Sequence, residues 1–238
     1  MNAVPQLHLG TWLSIGSPVI AELAALAGFD WVLFDFEHGC ASEATLLDQL
    51  RALRGTPTKG IVRVGAPHPD LIARVLDWGA DGIMVPRVES AEEAEAIVRA
   101  AFHAPKGRRG FSRTVRATGY GLGGHHGEPI LMAQIETLVG VAAAPAIAAV
   151  EGIAVLFVGP ADLRHDLEHS PGAAPADYDR CLAEVVVAAL AAGKEAGILL
   201  REAAALPAHR ELGFTRIAID SDLSILRNAY QNLLSQKL

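Results

Sequence analysis

The chain has 238 residues, 51% of them apolar, and a formal charge of −7 with its nine His neutral. That composition excludes a disordered chain, and the length suffices for one large core in a single domain. The acidic balance offers no basic surface of the kind nucleic acid requires, so a small-molecule partner is expected, with no nucleic acid and no membrane.

In chain order, the apolar periodicity predicts a strand over 7–15 and a helix from Pro18 to about Ala27, with Ser17 as cap. A second strand covers DWVLFDFE, Asp30 to Glu37, followed by a helix over about 43–53. Gly60 to Val64 is a short third strand, with a helix over 70–78 closed by Gly79. Gly82 to Val88 is the fourth, and Ser90-Ala-Glu-Glu opens its helix with a capping-box pattern between Ser90 and Glu93. Strand five runs from Ile130 to Glu136, and its helix from about 138 to 150. VLFVGPADL, Val155 to Leu163, is a buried sixth strand ending at Gly159, which leaves Asp162 just past its C-terminal end. The remaining elements are a helix over 178–192, a strand over 197–200, a helix over 202–212, a strand over 215–220 and a last helix over about 223–234. Eight strands alternating with eight helices, without a linker, predict a single-domain α/β chain folded as a (β/α)8 TIM barrel over residues 1–238, with an open doubly wound sheet as runner-up.

The segment Pro105 to Pro129, PKGRRGFSRTVRATGYGLGGHHGEP, breaks the rhythm as a Gly- and Arg-rich insertion. Loops of that length inside a compact domain are usually functional, interfacial or disordered. Its GYGLGG follows no strand and opens no helix, so a dinucleotide fingerprint is not supported. Its His125 and His126 read as a solvated pair rather than as metal ligands. Cys40 and Cys181 are far apart and form no CxxC, as expected of a reducing compartment. The N-terminal MNAVPQLHLG has no basic stretch before an apolar core, and the most apolar window, 139–161, is interrupted by Pro145, Glu151 and Gly152. A cytoplasmic protein is expected.

In such a barrel chemistry sits at the C-terminal ends of the strands. The polar residues predicted there are Asp35, Glu37 and His38 from strand two, Arg63 from strand three, Arg87 from strand four, Gln134 and Glu136 from strand five, and Asp162 after strand six. Each would be costly in a barrel core without a partner. Glu136 and Asp162, on adjacent strands at equivalent height, suit a hard divalent ion. Equally, one of them could cap the following helix or pair with an Arg. His38 reads as a hydrogen-bonded core residue or an acid/base, and Arg63 as the partner of an anionic substrate group or of a rim carboxylate. Asp77, one turn from the end of the third helix, would ordinarily be solvated, and spacing does not single it out.

With those residues in place, the chain resembles the HpcH/HpaI aldolase family almost end to end. The resemblance is carried by GTWL (10–13), AGFDWVLFDFEH (27–38), VRV (62–64), LDWGADGIMVP (76–86), KGRRGFS (106–112), QIET (134–137), VGPADL (158–163) and AAGKEAGIL (191–199), in that order. It implies a barrel fold and a metal-dependent class II aldolase, a carbon–carbon lyase that cleaves and forms aldols between pyruvate, or a close 2-oxoacid such as hydroxypyruvate, and an aldehyde. It further implies Glu136 and Asp162 as ligands of Mg²⁺, Mn²⁺ or Co²⁺, Arg63 on the keto oxygen and enolate, and His38 as acid/base with Asp77 as its dyad partner. Trp12, Gln134 and the backbone of Gly159, Pro160 and Ala161 would line the 2-oxoacid site. The family's assembly implies a homo-oligomer, a hexamer or trimer, with sites close to interfaces, and the basic run Lys106, Arg108, Arg109, Arg113 and Arg116 is expected to serve that interface rather than to bind a phosphorylated or polycarboxylate partner.

Two departures separate this chain from the family pattern. EHGCA stands where EHAPN is frequent, and Arg87 follows VP where an apolar residue is usual. Both lie where an acceptor aldehyde or its anionic tail would be met. The alternative enzyme reading is citrate-synthase-like or acyl-CoA lyase chemistry on the same metal and enolate, and the non-enzyme alternative is a barrel that only binds a 2-oxoacid. No lysine ends a strand, since Lys59, Lys106 and Lys194 lie in loops or before strands, which argues against a Schiff-base aldolase.

Overall fold

A computed structural model describes residues 6–123, 127–172, 174 and 177–235. Its strands are β1 (His8–Leu13), β2 (Trp31–Asp35), β3 (Lys59–Arg63), β4 (Gly82–Val85), β5 (Ile130–Ile135), β6 (Ile153–Val158), β7 (Glu195–Leu200) and β8 (Arg216–Ser221). Its α-helices are α1 (Pro18–Leu26), α2 (Glu43–Ala52), α3 (Pro69–Asp77), α4 (Ala91–Ala101), α5 (Leu138–Ala149), α6 (Pro160–His169), α7 (Asp177–Ala191), α8 (Leu206–Leu212) and α9 (Asp222–Ser235). All neighbouring strands pair in parallel, and β8 returns to β1, so the sheet closes in chain order. The expected (β/α)8 barrel is therefore the fold. Among the described residues no helix is long and apolar enough to cross a membrane.

Two-residue alternation divides the strands between two cores. Outward residues such as Val32, Phe34, Val62, Ile83, Leu156 and Val158 join the helices in one cluster. Inward residues, Trp31, Leu33, Ile61, Met84, Met132, Val155 and Phe157, fill the barrel with Trp12. Trp31 fits because β1 carries Gly10 beside it, where a Cβ would lie 2.2 Å from the indole. Continued towards the C-terminal ends, the same inward series becomes Asp35, Arg63 and Gln134 at the next step and Glu136 at the one after, all buried. The barrel interior is thus apolar below and ionisable at its upper mouth.

Local chemistry sets the helix starts. Ser90 Oγ accepts the Glu93 N–H at 3.2 Å, as the capping pattern predicts, but the Glu93 carboxylate returns to the N–H of Glu89, at 2.7 Å, rather than to Ser90.

The sequence reading misses α6. PADLRHDLEH buries only Leu163 and Leu167, too thin an apolar stripe to register as periodic. The available signal was Pro160 at the first helical position directly after Gly159. Asp162 therefore does not stand in a loop past β6 but in the first turn of α6.

The described residues of the insertion include Arg109 and Arg116, which bind at the opposite, N-terminal mouth. Residues 116–121 coil in short turns kinked through Gly119, φ 60°, and Tyr120, φ 57°, and the Arg116 guanidinium donates to the carbonyls of Trp78 at 2.7 Å and Leu50 at 3.0 Å, closing the ends of α3 and α2. Arg109 pairs with Asp77 at 2.5 Å, and Lys106 with Glu128 at 3.1 Å. Three of the five basic residues expected at an interface or an anion thus have partners within the chain. His125 and His126 lie outside the described residues.

Candidate active site

The upper mouth is organised around one guanidinium. Arg63, at the tip of β3, donates Nε–H to Asp35 Oδ1 at 2.9 Å and Nη2–H to Asp35 Oδ2 at 2.7 Å, and Nη1 lies 2.8 Å from Glu37 Oε2. A planar fork bonded bidentately to one carboxylate and ion-paired with a second has little freedom to rotate. Trp12, 5% exposed, lies beneath, with the Arg63 carbon 5.3 Å from its ring centroid. Burial alone would raise the Asp35 carboxyl, but the Arg63 hydrogen bonds and charge, with the N–H groups of His38 and Glu37, hold it below its ordinary value.

Asp35 also shapes the loop after β2. Its Oδ1 accepts the N–H of Glu37 at 3.1 Å and of His38 at 3.3 Å, an Asx-type turn that sets where His38 leaves the backbone. The His38 side chain is 67% exposed, with Nε2 3.9 Å from Glu37 Oε1, so it is a mouth residue open to substrate rather than a core histidine. Sequence reasoning placed Asp35 on the rim but gave it no role, although it continues the inward Trp31–Leu33 series.

On the other side of the mouth, Gln134 Nε2 donates to Glu136 Oε2 at 2.5 Å, and the N–H of Arg87 donates to Glu136 Oε1 at 2.8 Å. Arg87 does this from a left-handed backbone, φ 50°, a conformation that costs a non-glycine residue energy and marks a constrained position. Its side chain is 68% exposed and lies 3.5 Å from Glu89. Gly159 closes the wall. A Cβ there would stand 2.5 Å from Glu136 Oε2 and 2.7 Å from Gln134 Nε2. Gly159 is the N-cap of α6 with no side-chain cap, Pro160 has no N–H, and Asp162 stands in the first turn. The N–H groups of that turn, from Ala161 onward, form an anion-binding end.

Four carboxylates, Asp35, Glu37, Glu136 and Asp162, gather at this mouth around the single charge of Arg63. Burial first, then the charges of Asp162 and Glu37, push Glu136 up to about 7, against the Arg87 N–H and Arg63. Burial also raises Glu37, despite Arg63. Gln134 Oε1 is buried with no hydrogen-bond partner. An all-oxygen donor set with surplus negative charge and an orphaned amide oxygen fits a hard divalent ion held by Glu136 and Asp162.

The structure does not bring Asp77 to this mouth. In a barrel, a helix that precedes a strand ends where that strand begins, and Asp77 closes α3 just before β4. It lies at the N-terminal mouth on Arg109, whereas His38 follows the C-terminal end of β2, so the two cannot form a dyad within one chain.

The model of the HpcH/HpaI aldolase/citrate lyase family matches residues 8–229. The chain is 36% identical over 236 residues to the 5-keto-4-deoxy-D-glucarate aldolase of Shigella boydii serotype 18, covering 97% of this chain and 92% of that one. It is 37% identical to the protein of the same name from Escherichia coli O6:H1, with the same coverage. Among solved structures it is similar to an HpcH/HpaI aldolase/citrate lyase family protein of Burkholderia cenocepacia J2315, with a TM-score of 0.90 and 34% identity over 97% of this chain and 94% of that one. It is also similar to the citrate synthase SbnG, with a TM-score of 0.84 and 28% identity over 98% and 94%. With the match running from β1 into α9 and relatives above 30% identity along almost the whole length, the chain belongs to the HpcH/HpaI aldolase/citrate lyase family.

Proposed function

We propose that the upper mouth is the active site of a metal-dependent aldolase that joins pyruvate, or a close 2-oxoacid, reversibly to an aldehyde. The observation that carries this reading is the juxtaposition of an immobilised guanidinium, Arg63, with a carboxylate wall, Glu136 and Asp162, whose charges oppose one another. Mg²⁺, Mn²⁺ or Co²⁺ held by those two carboxylates would supply Lewis acidity to the keto and carboxylate oxygens of the 2-oxoacid, acidifying its C3 protons. Of the five N–H bonds of Arg63, two go to Asp35, and Nη1 is ion-paired with Glu37. The N–H groups left on Nη1 and Nη2 are available to the keto oxygen as enolate charge develops on it. The first-turn N–H groups of α6 receive the substrate carboxylate, with Trp12 as floor. His38, exposed at the entrance, takes the proton from the aldol hydroxyl in cleavage and returns it in condensation.

Asp77 can serve His38 only from a second copy of the chain. A homo-oligomer is supported by α9, whose Leu223, Ile225, Tyr230, Leu233 and Leu234 are exposed and which buries only Asp222, and by Val19, Leu23 and Leu26 exposed along α1. Light scattering on the eluting protein tests this, and a monomer would remove Asp77 from the mechanism. The free thiols Cys40 and Cys181 accord with the cytoplasm as its compartment.

Pyruvate incubated in D₂O with Mn²⁺ should lose its methyl proton signal in the presence of the protein and keep it after EDTA treatment. Absence of exchange with every divalent metal would eliminate pyruvate enolisation. The likeness to SbnG favours a second reading, in which the same site forms the enolate of an acyl thioester and the keto carbon of a 2-oxoacid is the electrophile. A panel of aldehydes set against oxaloacetate with acetyl-CoA separates the two. The exposed Arg87 guanidinium suits an acceptor with an anionic tail, and Arg87→Ala should raise KM for such an aldehyde about tenfold while leaving pyruvate exchange unchanged. Unchanged kinetics with every aldehyde would exclude that role.

Gly159→Ala should cut the exchange rate about a hundredfold, because the added methyl displaces Glu136 and Gln134 by roughly an ångström. Stability should move by no more than about 1 kcal/mol in urea titrations, since alanine tolerates φ −90° and stiffens the unfolded chain.

A further inference from the structure

The far end of α6 carries a second set of donors with different chemistry. His165, Glu168 and His169 form the pattern H-x-x-E-H. At spacings of three and four residues they share one helix face. Among the described residues they are the one group of three or more His, Cys, Asp or Glu able to converge on an ion, each offering a ligand atom within 4.8 Å of the others. The two imidazoles stand 4.1 Å apart between centroids at 43°.

A second observation gives one imidazole its direction. His169 Nδ1 lies 2.8 Å from the backbone carbonyl of His165. A carbonyl only accepts, so Nδ1 carries the hydrogen and Nε2 keeps its lone pair, the tautomer a metal-ligating histidine needs. His169 also occupies the last turn of α6, an end of the helix where the dipole favours bound positive charge. All three side chains are exposed, so they can close from their present spread to the roughly 3.3 Å separation of tetrahedral ligands without disturbing the core.

We propose that His165, Glu168 and His169 form a surface site for a borderline transition ion, Zn²⁺, Ni²⁺ or Cu²⁺, separate from the active-site ion. Two imidazoles and one carboxylate, completed by water, suit such ions, whereas Mg²⁺ prefers the all-oxygen pair Glu136 and Asp162. The ion would bridge successive turns of the helix whose first turn presents Asp162.

The test is titration of the full-length, metal-free protein with Zn²⁺, read by equilibrium dialysis, with and without excess Mg²⁺. The wild type should hold one more equivalent of Zn²⁺ than His165→Ala/His169→Ala in both conditions. Circular dichroism of that double variant should be unchanged, and it should keep its Mg²⁺-supported pyruvate exchange. Substoichiometric Cu²⁺ should broaden the imidazole C–H resonances of His165 and His169 before those of the other histidines. Equal Zn²⁺ uptake by wild type and double variant, or broadening that begins at other histidines, would overturn the site. Because the readout is stoichiometry and spectroscopy, failure of the aldolase reading would leave the result intact.

Discussion

Arg63→Met is expected to lower the stability of the chain by about 3–5 kcal/mol and to abolish measurable pyruvate exchange. The stability loss arises from what is left behind. Asp35 is 2% exposed and loses both side-chain donors at once, while the partly buried Glu37 loses the cation that offsets its desolvation. An unpaired buried carboxylate is far more costly than an absent ion pair, so restoring neutrality should recover much of the loss. Arg63→Met combined with Asp35→Asn should therefore be more stable than Arg63→Met alone in urea unfolding, while remaining inactive. Arg63→Lys separates charge from geometry. A lysine ammonium restores one positive charge but cannot fork onto Asp35, reach Glu37 and still offer two N–H groups to a keto oxygen. It should fold with a smaller deficit and lose about 10²–10³ in exchange rate, the size expected for a missing oxyanion donor. Arg63→Lys at wild-type rate would remove Arg63 from the enolate site.

Much of this arrangement is legible in the sequence because a barrel strand has a period of two. Trp31, Leu33 and Asp35, then Ile61 and Arg63, then Met132, Gln134 and Glu136, each read as an inward apolar series that turns ionisable at its last step. What escaped followed from interactions that no local pattern encodes. The left-handed backbone at Arg87 belongs to a residue type with no preference for it, and it accompanies the N–H that Arg87 gives to Glu136. Helix α6 rests on two leucines and a proline, too few apolar positions to outweigh its charges. Family resemblance selects Asp77 by motif, but only topology says which end of the barrel it occupies. In an alternating chain the last turn of any helix lies at the mouth opposite the strand tips, so Asp77 and His38 are separated by the fold itself. Arg109, which takes up Asp77 instead, is 32 residues away in the chain.

Glu136→Gln should reduce pyruvate exchange by about 10³-fold or more, make the residue insensitive to EDTA, and yet give a metal-free protein more stable than the wild type near neutral pH. The activity loss follows from removing one of two anionic ligands of an ion asked to supply several kcal/mol to the enolising step. The stability gain follows from the pKa. Folding raises the Glu136 carboxyl from its ordinary 4.5 to about 7, so between those values the folded state holds a proton that the unfolded state has released. Stability of the metal-free wild type must therefore fall as pH rises from about 4.5 to about 7, by on the order of 3 kcal/mol, and level off above. Glutamine has no such titration. Its side chain can keep the Arg87 N–H on its oxygen, while a flip of the Gln134 amide turns the orphaned Oε1 into an acceptor for the new NH₂ group. Thermal unfolding of both proteins in chelator should thus coincide near pH 4.5 and separate progressively to pH 7, with the variant higher. The same proton competes with the ion in the wild type, so Mn²⁺ affinity should drop about tenfold per pH unit below 7. Parallel unfolding curves across that range, or Mn²⁺ binding that survives Glu136→Gln undiminished, would show that the buried charge at the end of β5 is not what the ion neutralises.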